Sequence, residues 1–331
     1  MQYSEARASR SVNLEREASQ TVNLEREVRT ALQWLHEVGV TTESTQGCLP
    51  NPEENFVHFM SQHGEQASKK LQHLIMITYM VHIKTQLEAT ETDEDRARRL
   101  SASEQHASRW LTTFPTQEQF YMSNTQVSIA VRNRLGLRPL QLLRTFNELS
   151  RIRGNHNYAI SIRHNLIRDA LASIAARAGA LVEREPWVNR RKRADLLLRL
   201  TQQPQTEFFV DLMVVAPTTL HHLAAAQSQL GAAAAGEEAK TEAYRGIMQE
   251  DQQLMPFVVE SFGGIGQQAK RVLQALAVCA QEMFNLNRDE FLAEGIAIIS
   301  FAIQQGNAEM VLRQFRNSSR CEGRSSSISG N

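Results

Sequence analysis

The segment RADLLLRLTQQPQTEFFVDLMVV, residues 193–215, decides the fold expected of this chain. Two apolar runs rich in leucine, valine and phenylalanine, 194–200 and 207–215, flank the polar stretch TQQPQT. Apolar runs of this length on either side of a short polar, proline-containing stretch are typical of two strands joined by a turn. The segment therefore predicts an antiparallel hairpin.

Two aspartates occupy matching positions on the predicted strands. Asp195 and Asp211 lie symmetrically about residue 203, the centre of the predicted turn, so a symmetric turn places them opposite each other on one face. Cross-strand neighbours have Cβ atoms about 4.5 to 5.5 Å apart, close enough for both carboxylates to bind one hard divalent cation. Asp211 also interrupts an apolar strand, where an uncompensated carboxylate is costly to bury. An edge-strand aspartate that faces water or pairs with a nearby arginine is the alternative.

The sequence around the hairpin predicts a mixed α/β (α+β) fold. Apolar residues at helical spacing predict a helix over 160–178 that ends at Gly179, with a short connecting segment after it. Further elements follow the hairpin: a helical region with an Ala-rich middle broken by Gly231 and Gly236 (218–250), a third apolar strand (256–260) and a last helix through Cys279 that begins after the turn FGGIG (262–266). We expect a helical N-terminal region followed by a small mixed sheet flanked by helices.

Composition divides the chain into four parts. The first contains the hexapeptide VNLERE twice, ten residues apart, and the last ends in a Ser/Gly-rich stretch that predicts disorder. The predicted parts are a charged, partly disordered extension (1–54), a helical region (55–150), an α/β domain (151–280), and C-terminal helices with a disordered tail (281–331).

The charges of the chain balance, with 36 Lys and Arg against 36 Asp and Glu. The whole chain therefore has no net attraction for phosphate backbones, and any affinity for nucleic acid must come from a local patch. The run Arg190, Arg191, Lys192 and Arg193 is the candidate. A solvated turn and a nuclear localisation patch are the alternatives for this run.

Cysteines and apolar runs indicate the compartment. Cys48, Cys279 and Cys321 are far apart and odd in number, which favours neither a zinc site nor a disulfide framework. Apolar runs reach about ten residues, against the roughly 18 to 20 of a membrane-spanning helix, and the first residues lack the apolar core of a secretory signal. We expect no membrane partner and an intracellular location, with the nucleus favoured over the mitochondrion.

Several segments in order carry a resemblance to a known family. RAD (193–195), FVDLMVV (209–215), KTEAY (240–244) and PFVVESFGG (256–264) together resemble the restriction-like endonuclease region of non-LTR retrotransposon open reading frames, a branch of the PD-(D/E)XK nucleases. The segments WLTTFP (110–115) and VRNRLG (131–136) resemble the part that precedes this nuclease, so the resemblance covers roughly residues 105–278. It implies a restriction-endonuclease-like core in which Asp195 and Asp211 bind Mg²⁺ or Mn²⁺.

The chain departs from the usual nuclease pattern in two places. The lysine that many of these nucleases carry two residues after the second acid falls at Met213, which cannot activate water. The retrotransposon branch resembles a variant whose lysine comes from the following helix, and this implies catalytic roles for Lys240 and its i+4 neighbour Tyr244. A solvent-exposed lysine is the alternative. Residues 136–164 contain no cysteine, so only His156 matches the zinc knuckle of the family.

The resemblance implies a metal-dependent endonuclease that hydrolyses phosphodiester bonds of DNA, with RNA as the second possible substrate. No segment of the sequence has the length or the paired aspartates of a reverse transcriptase. A catalytically inactive nuclease fold that serves as a binding or structural module in a larger assembly is the alternative. The sequence indicates neither the target nor the oligomeric state.

Overall fold

The computed structural model describes residues 83–115, 117–137, 156–190, 192–201, 206–249 and 252–325, together with a few helical positions before residue 83. Side chains of 156–160 and 314–325 are not part of this description. The VNLERE repeat apart from Arg26, the predicted disordered tail after residue 325 and Arg191 lie outside the described residues.

The chain forms two compact units, Met1–Glu91 and Thr92–Asn331. Residues 83–90 of the first unit are helical. The α-helices in the described part of the second unit are α1 (Asp93–Ala102), α2 (Arg109–Thr112), α3 (Asn124–Arg134), α4 (His156–Arg177), α5 (Leu220–Leu223), α6 (Gly231–Tyr244), α7 (Gln267–Phe284) and α8 (Arg288–Ser325). Its strands are β1 (Leu181–Arg184), β2 (Trp187–Asn189), β3 (Lys192–Arg193), β4 (Leu196–Leu200), β5 (Thr206–Val215) and β6 (Leu254–Glu260).

The main sheet has four strands in the order β1-β4-β5-β6. β1 and β5 are antiparallel to β4, whereas β5 and β6 are parallel. β4 and β5 form the predicted hairpin, and the pairing of Leu198 with Phe208 and of Leu200 with Thr206 is centred on residue 203. The mixed α/β class and the small mixed sheet are thus confirmed.

Side chains of the hairpin alternate between two packed faces, as the two-residue period of a strand requires. One face packs into the main core with α4, α7 and α8, and its hairpin residues are Leu196, Leu198, Leu200, Phe208, Val210 and Leu212. The opposite face carries Leu197 and Phe209, which pack with Tyr244 of α6. Both faces of the hairpin are therefore buried, which explains its nearly continuous apolar sequence.

The predicted connecting segment after Gly179 contains strands. Gly179 ends α4 with φ +84° as expected, but the next residues form β1, an edge strand whose side chains are mostly exposed. β2 and β3 then form a separate small hairpin; Arg190 lies in a turn after β2, and Lys192 and Arg193 form β3. Strands of two to four residues with many exposed side chains are too short to show the alternation by which a half-buried strand is recognised.

The helical region after the hairpin is divided differently from the prediction. Two short turns, α5 and a 3-10 turn at Ala225–Gln227, precede α6, which begins at Gly231 and continues through Gly236. A Cβ at Gly236 would lie 2.9 Å from Val258 Cγ1, so this glycine allows α6 to approach the sheet closely and does not break the helix. Gly306 of α8 likewise packs against Arg163 of α4.

Among the residues described above, none of the helices combines the length and the apolar character that a bilayer crossing requires.

Candidate active site

Asp211 lies in β5, and Asp195 immediately precedes β4, the neighbouring strand of the sheet. The regular ladder ends where Leu196 pairs with Val210, so the next positions along the two strands are Asp195 and Asp211. The N–H of Leu212 donates to Asp195 Oδ2 at 2.6 Å. The carboxylate of Asp195 thus accepts a hydrogen bond from the β5 backbone and is fixed beside Asp211. Asp211 itself is only 8% exposed.

Lys240 reaches Asp211 from α6, which packs against β5 and β6. Its Nζ lies 2.8 Å from Asp211 Oδ2. Met213, two residues after Asp211, packs instead with apolar residues beneath α6. Lys240 therefore points from α6 towards Asp211 of the hairpin, and Met213 supplies no charge to the site.

Tyr244, one turn after Lys240, is buried against the start of β4. Its hydroxyl donates to the carbonyl oxygen of Arg193 at 3.0 Å. Burial raises the pKa of Tyr244 well above its ordinary value, and the nearby Asp211 carboxylate raises it further. Tyr244 therefore remains a protonated donor at neutral pH and holds the peptide two residues before Asp195.

His164 is a member of the site that the sequence analysis did not identify. It lies on α4, and its Nε2 is 2.9 Å from Asp195 Oδ1. The only sequence feature that indicates its position is the three-residue spacing from Ile167, which puts His164 on the side of α4 that faces the core. A lone histidine at such a position is common in packed helices, so spacing by itself does not link it to Asp195.

The two aspartates differ in their electrostatics. Burial alone would raise the pKa of Asp195, but the hydrogen bond and charge of His164, together with the Leu212 N–H, hold it below its ordinary value. Burial raises the pKa of Asp211, and the Asp195 carboxylate adds to this effect while Lys240 opposes it. Because Asp195 is ionised, His164 Nε2 acts as the donor in their hydrogen bond.

The donor set determines which cation this site could hold. Within the described parts of the chain, no group of three or more His, Cys, Asp or Glu side chains has the arrangement of a metal site. When His164 is neutral, the carboxylates of Asp195 and Asp211 and the ammonium of Lys240 give the site a net negative charge. Mg²⁺ is usually bound by one or two carboxylates, with water and substrate phosphate completing its shell. The Asp195–Asp211 pair fits this ion and Mn²⁺, and it does not resemble a structural zinc site.

The basic run is engaged in contacts within the protein. Lys192 Nζ donates to Ala243 O at 2.8 Å and lies 3.7 Å from the centre of the Tyr244 ring. The Arg193 guanidinium stacks over Trp187 at 4.1 Å, while Arg190 is exposed. Lys192 therefore attaches the small β2–β3 hairpin to α6, and Arg193 packs against β2 within the hairpin. Phosphate binding by the run stays a prediction.

In comparisons with known proteins, no protein-family model, no curated protein and no solved structure matched this chain.

Proposed function

We propose that this chain is a metal-dependent endonuclease of the restriction-like type found in non-LTR retrotransposons, and that it hydrolyses phosphodiester bonds of DNA. The observation that carries the proposal is the 2.8 Å contact of Lys240 with Asp211, beside Asp195. Asp195 just before β4, Asp211 of β5 and Lys240 of α6 converge at one partly exposed site. The contact agrees with a lysine supplied from the helix after the hairpin.

Asp195 and Asp211 would hold Mg²⁺ or Mn²⁺, which when bound supplies positive charge for the phosphate and favours ionisation of water. The ammonium of Lys240 stands where it would stabilise negative charge developing on a phosphate oxygen. It is about a quarter exposed, so a substrate reaches it from solvent. Lys240 is therefore the proposed catalytic cation of this chain.

His164 and Tyr244 act as positioning residues in this proposal. His164 donates to one oxygen of Asp195 while the Leu212 N–H donates to the other, and the two hydrogen bonds fix the plane of the carboxylate. Tyr244 fixes the peptide of Arg193. Outer hydrogen bonds of this kind orient ligands and raise the efficiency of metal sites.

Nicking of supercoiled plasmid DNA in Mg²⁺ or Mn²⁺ tests the proposal. The wild type should convert plasmid to the open-circular form, and Asp211→Asn should abolish this conversion. Asp169→Asn is the matched control, because Asp169 lies exposed on α4 and, among the described residues, pairs with Arg168 and Arg184 and not with the site. The absence of nicking by the wild type in either metal, or equal nicking by Asp211→Asn, would contradict the proposal.

One observation favours the alternative, an inactive module in a larger assembly. Both oxygens of Asp195 and one oxygen of Asp211 already accept hydrogen bonds from protein donors. The network is therefore largely satisfied without a cation. A module of this kind would fold and show no divalent-metal effect on its stability, whereas the endonuclease should be stabilised by the metal.

A further inference from the structure

A cavity lies at the carboxyl ends of β5 and β6, where α3, α4 and α8 meet. Its volume is about 260 Å³, and its lining includes Asn133, Arg163, Thr218, Ser261, Asn307 and Met310. Drug-sized ligands occupy pockets of about 300 to 1,000 Å³, so this cavity suits a smaller group. Thr218 and Met310 are partly exposed, which shows that the cavity opens to solvent.

Arg163 is a buried cation in the wall of this cavity. It is 9% exposed, and its Nη1 donates to Asn307 Oδ1 at 2.9 Å. Its Nε is buried without a hydrogen-bond partner, and no carboxylate in the described part of the chain forms an ion pair with it. Burial lowers the pKa of Arg163 to about 10, so the side chain remains charged at neutral pH. A guanidinium has five N–H donors, and the described residues satisfy one.

The rest of the cavity offers further donors. Asn307 is held in place because its Nδ2 donates to Ser261 O at 2.7 Å, and this fixes its Oδ1 towards Arg163. The hydroxyls of Ser261 and Thr218 and the amide of Asn133 line the same cavity. None of these three side chains hydrogen-bonds to another described residue. An isolated buried charge is costly unless something compensates it.

We propose that this cavity is an oxyanion site in which Arg163 binds a phosphate-class group. The positive charge requires an anion, the surrounding hydroxyl and amide groups require hydrogen-bond acceptors, and the volume limits the group to a small one. Arginine is the preferred partner for such groups because its planar guanidinium binds two oxygens at once. The site is distinct from the Asp195–Asp211 pair and does not rest on the proposed endonuclease function.

Thermal unfolding of the full chain in sodium phosphate, compared with sodium chloride of equal ionic strength, tests this inference. The melting temperature of the wild type should rise with the logarithm of phosphate concentration, as expected for a ligand of the folded state. Arg163→Met should lose this rise, and its own melting temperature should equal or exceed that of the wild type in chloride, because an unpaired buried charge is removed. Arg184→Met, at an exposed arginine of β1 that pairs with Asp169, should keep the full phosphate response.

Thr218→Trp provides a second variant in case Arg163→Met does not fold, since it fills the cavity from its open side and should also remove the phosphate response. Oligonucleotides with and without a 5′-phosphate distinguish the source of the group. If only inorganic phosphate raises the melting temperature, the ligand of the cavity is a free anion. If only the oligonucleotide with a 5′-phosphate raises it, the ligand is the end of a nucleic acid. An equal response of wild type and both cavity variants, or no response of the wild type to any of these probes, would overturn the inference.

Discussion

Replacement of Lys240 by methionine separates its electrostatic role from its packing. Lys240 Nζ contacts Asp211 Oδ2 at 2.8 Å, with side chains 23% and 11% exposed. Methionine keeps the aliphatic stem of the lysine and removes only its ammonium charge. Asp211 then stays buried beside Asp195 without its cationic partner. Breaking a buried ion pair costs about 3 to 5 kcal/mol. Lys240 is partly solvated and Asp211 can take up a proton, so we expect about 3 kcal/mol, the lower end of that range.

The assay is urea denaturation at neutral pH, together with single-turnover nicking of plasmid. Arg245→Met is the control, because Arg245 ends the same helix and forms an exposed pair with Glu242, a contact worth about 0 to 1 kcal/mol. Lys240→Met should also lower the nicking rate by roughly 10²-fold, the scale of one positioned catalytic group, with DNA affinity changed less than tenfold. Lys240→Arg should rescue this rate only partly, since a planar guanidinium cannot occupy the same point.

A double-mutant cycle with Asp211→Asn measures the coupling between the two residues. Once Asp211 is neutral, Lys240→Met should cost much less stability than it does in the wild type. Equal denaturation midpoints for the wild type and Lys240→Met, combined with equal nicking rates, would refute the assignment of Lys240.

Three further outcomes follow from other contacts. His164→Ala should lower nicking by about 10- to 100-fold, as expected for a residue that orients a metal ligand, and His164→Gln, which keeps a donor, should recover part of the rate; full activity of His164→Ala would exclude the positioning role. Glu260 is 2% exposed, and because burial raises its pKa in the folded state, it contributes less stability as the pH rises through that pKa. The melting temperature of Glu260→Gln minus that of the wild type should therefore increase from pH 4.5 to pH 7.5, and a constant or decreasing difference would contradict this sign. Replacing residues 190–193 by alanine should weaken DNA binding and make the DNA affinity less dependent on salt concentration. If the salt dependence does not change, the basic run has only a structural role.

Local sequence patterns were sufficient to predict the β4–β5 hairpin at the centre of the fold. The hairpin was predictable because its strands are apolar on both sides of a polar turn, and its symmetry about residue 203 placed Asp195 next to Asp211. The orientation of Lys240 followed from the resemblance and from helical spacing. Gly179 was recognisable as the end of α4 because its positive φ is favourable for glycine.

Features that depend on distant parts of the chain were not predictable. β1 lies at the sheet edge, is only four residues long and has mostly exposed side chains, so it has no recognisable alternating pattern. His164 contacts Asp195 across 31 residues, and Arg163 contacts Asn307 across 144. Such contacts arise from tertiary packing, and a single sequence contains no periodic signal for them. The sequence predicted a phosphate-binding role for the basic run and gave no sign of the cation–π contacts that Lys192 and Arg193 make with aromatic rings.

The most direct test of the account is the binding of Mn²⁺ to the purified full chain, measured by electron paramagnetic resonance of the free ion. Asp195 and Asp211 are the proposed ligands, so the wild type should bind about one Mn²⁺ when two carboxylates share the ion. The double variant Asp195→Asn with Asp211→Asn should lose this binding, and the surface variant Asp169→Asn should retain it. Equal Mn²⁺ binding by all three proteins, or no binding by the wild type, would contradict the claim that these aspartates form a metal site.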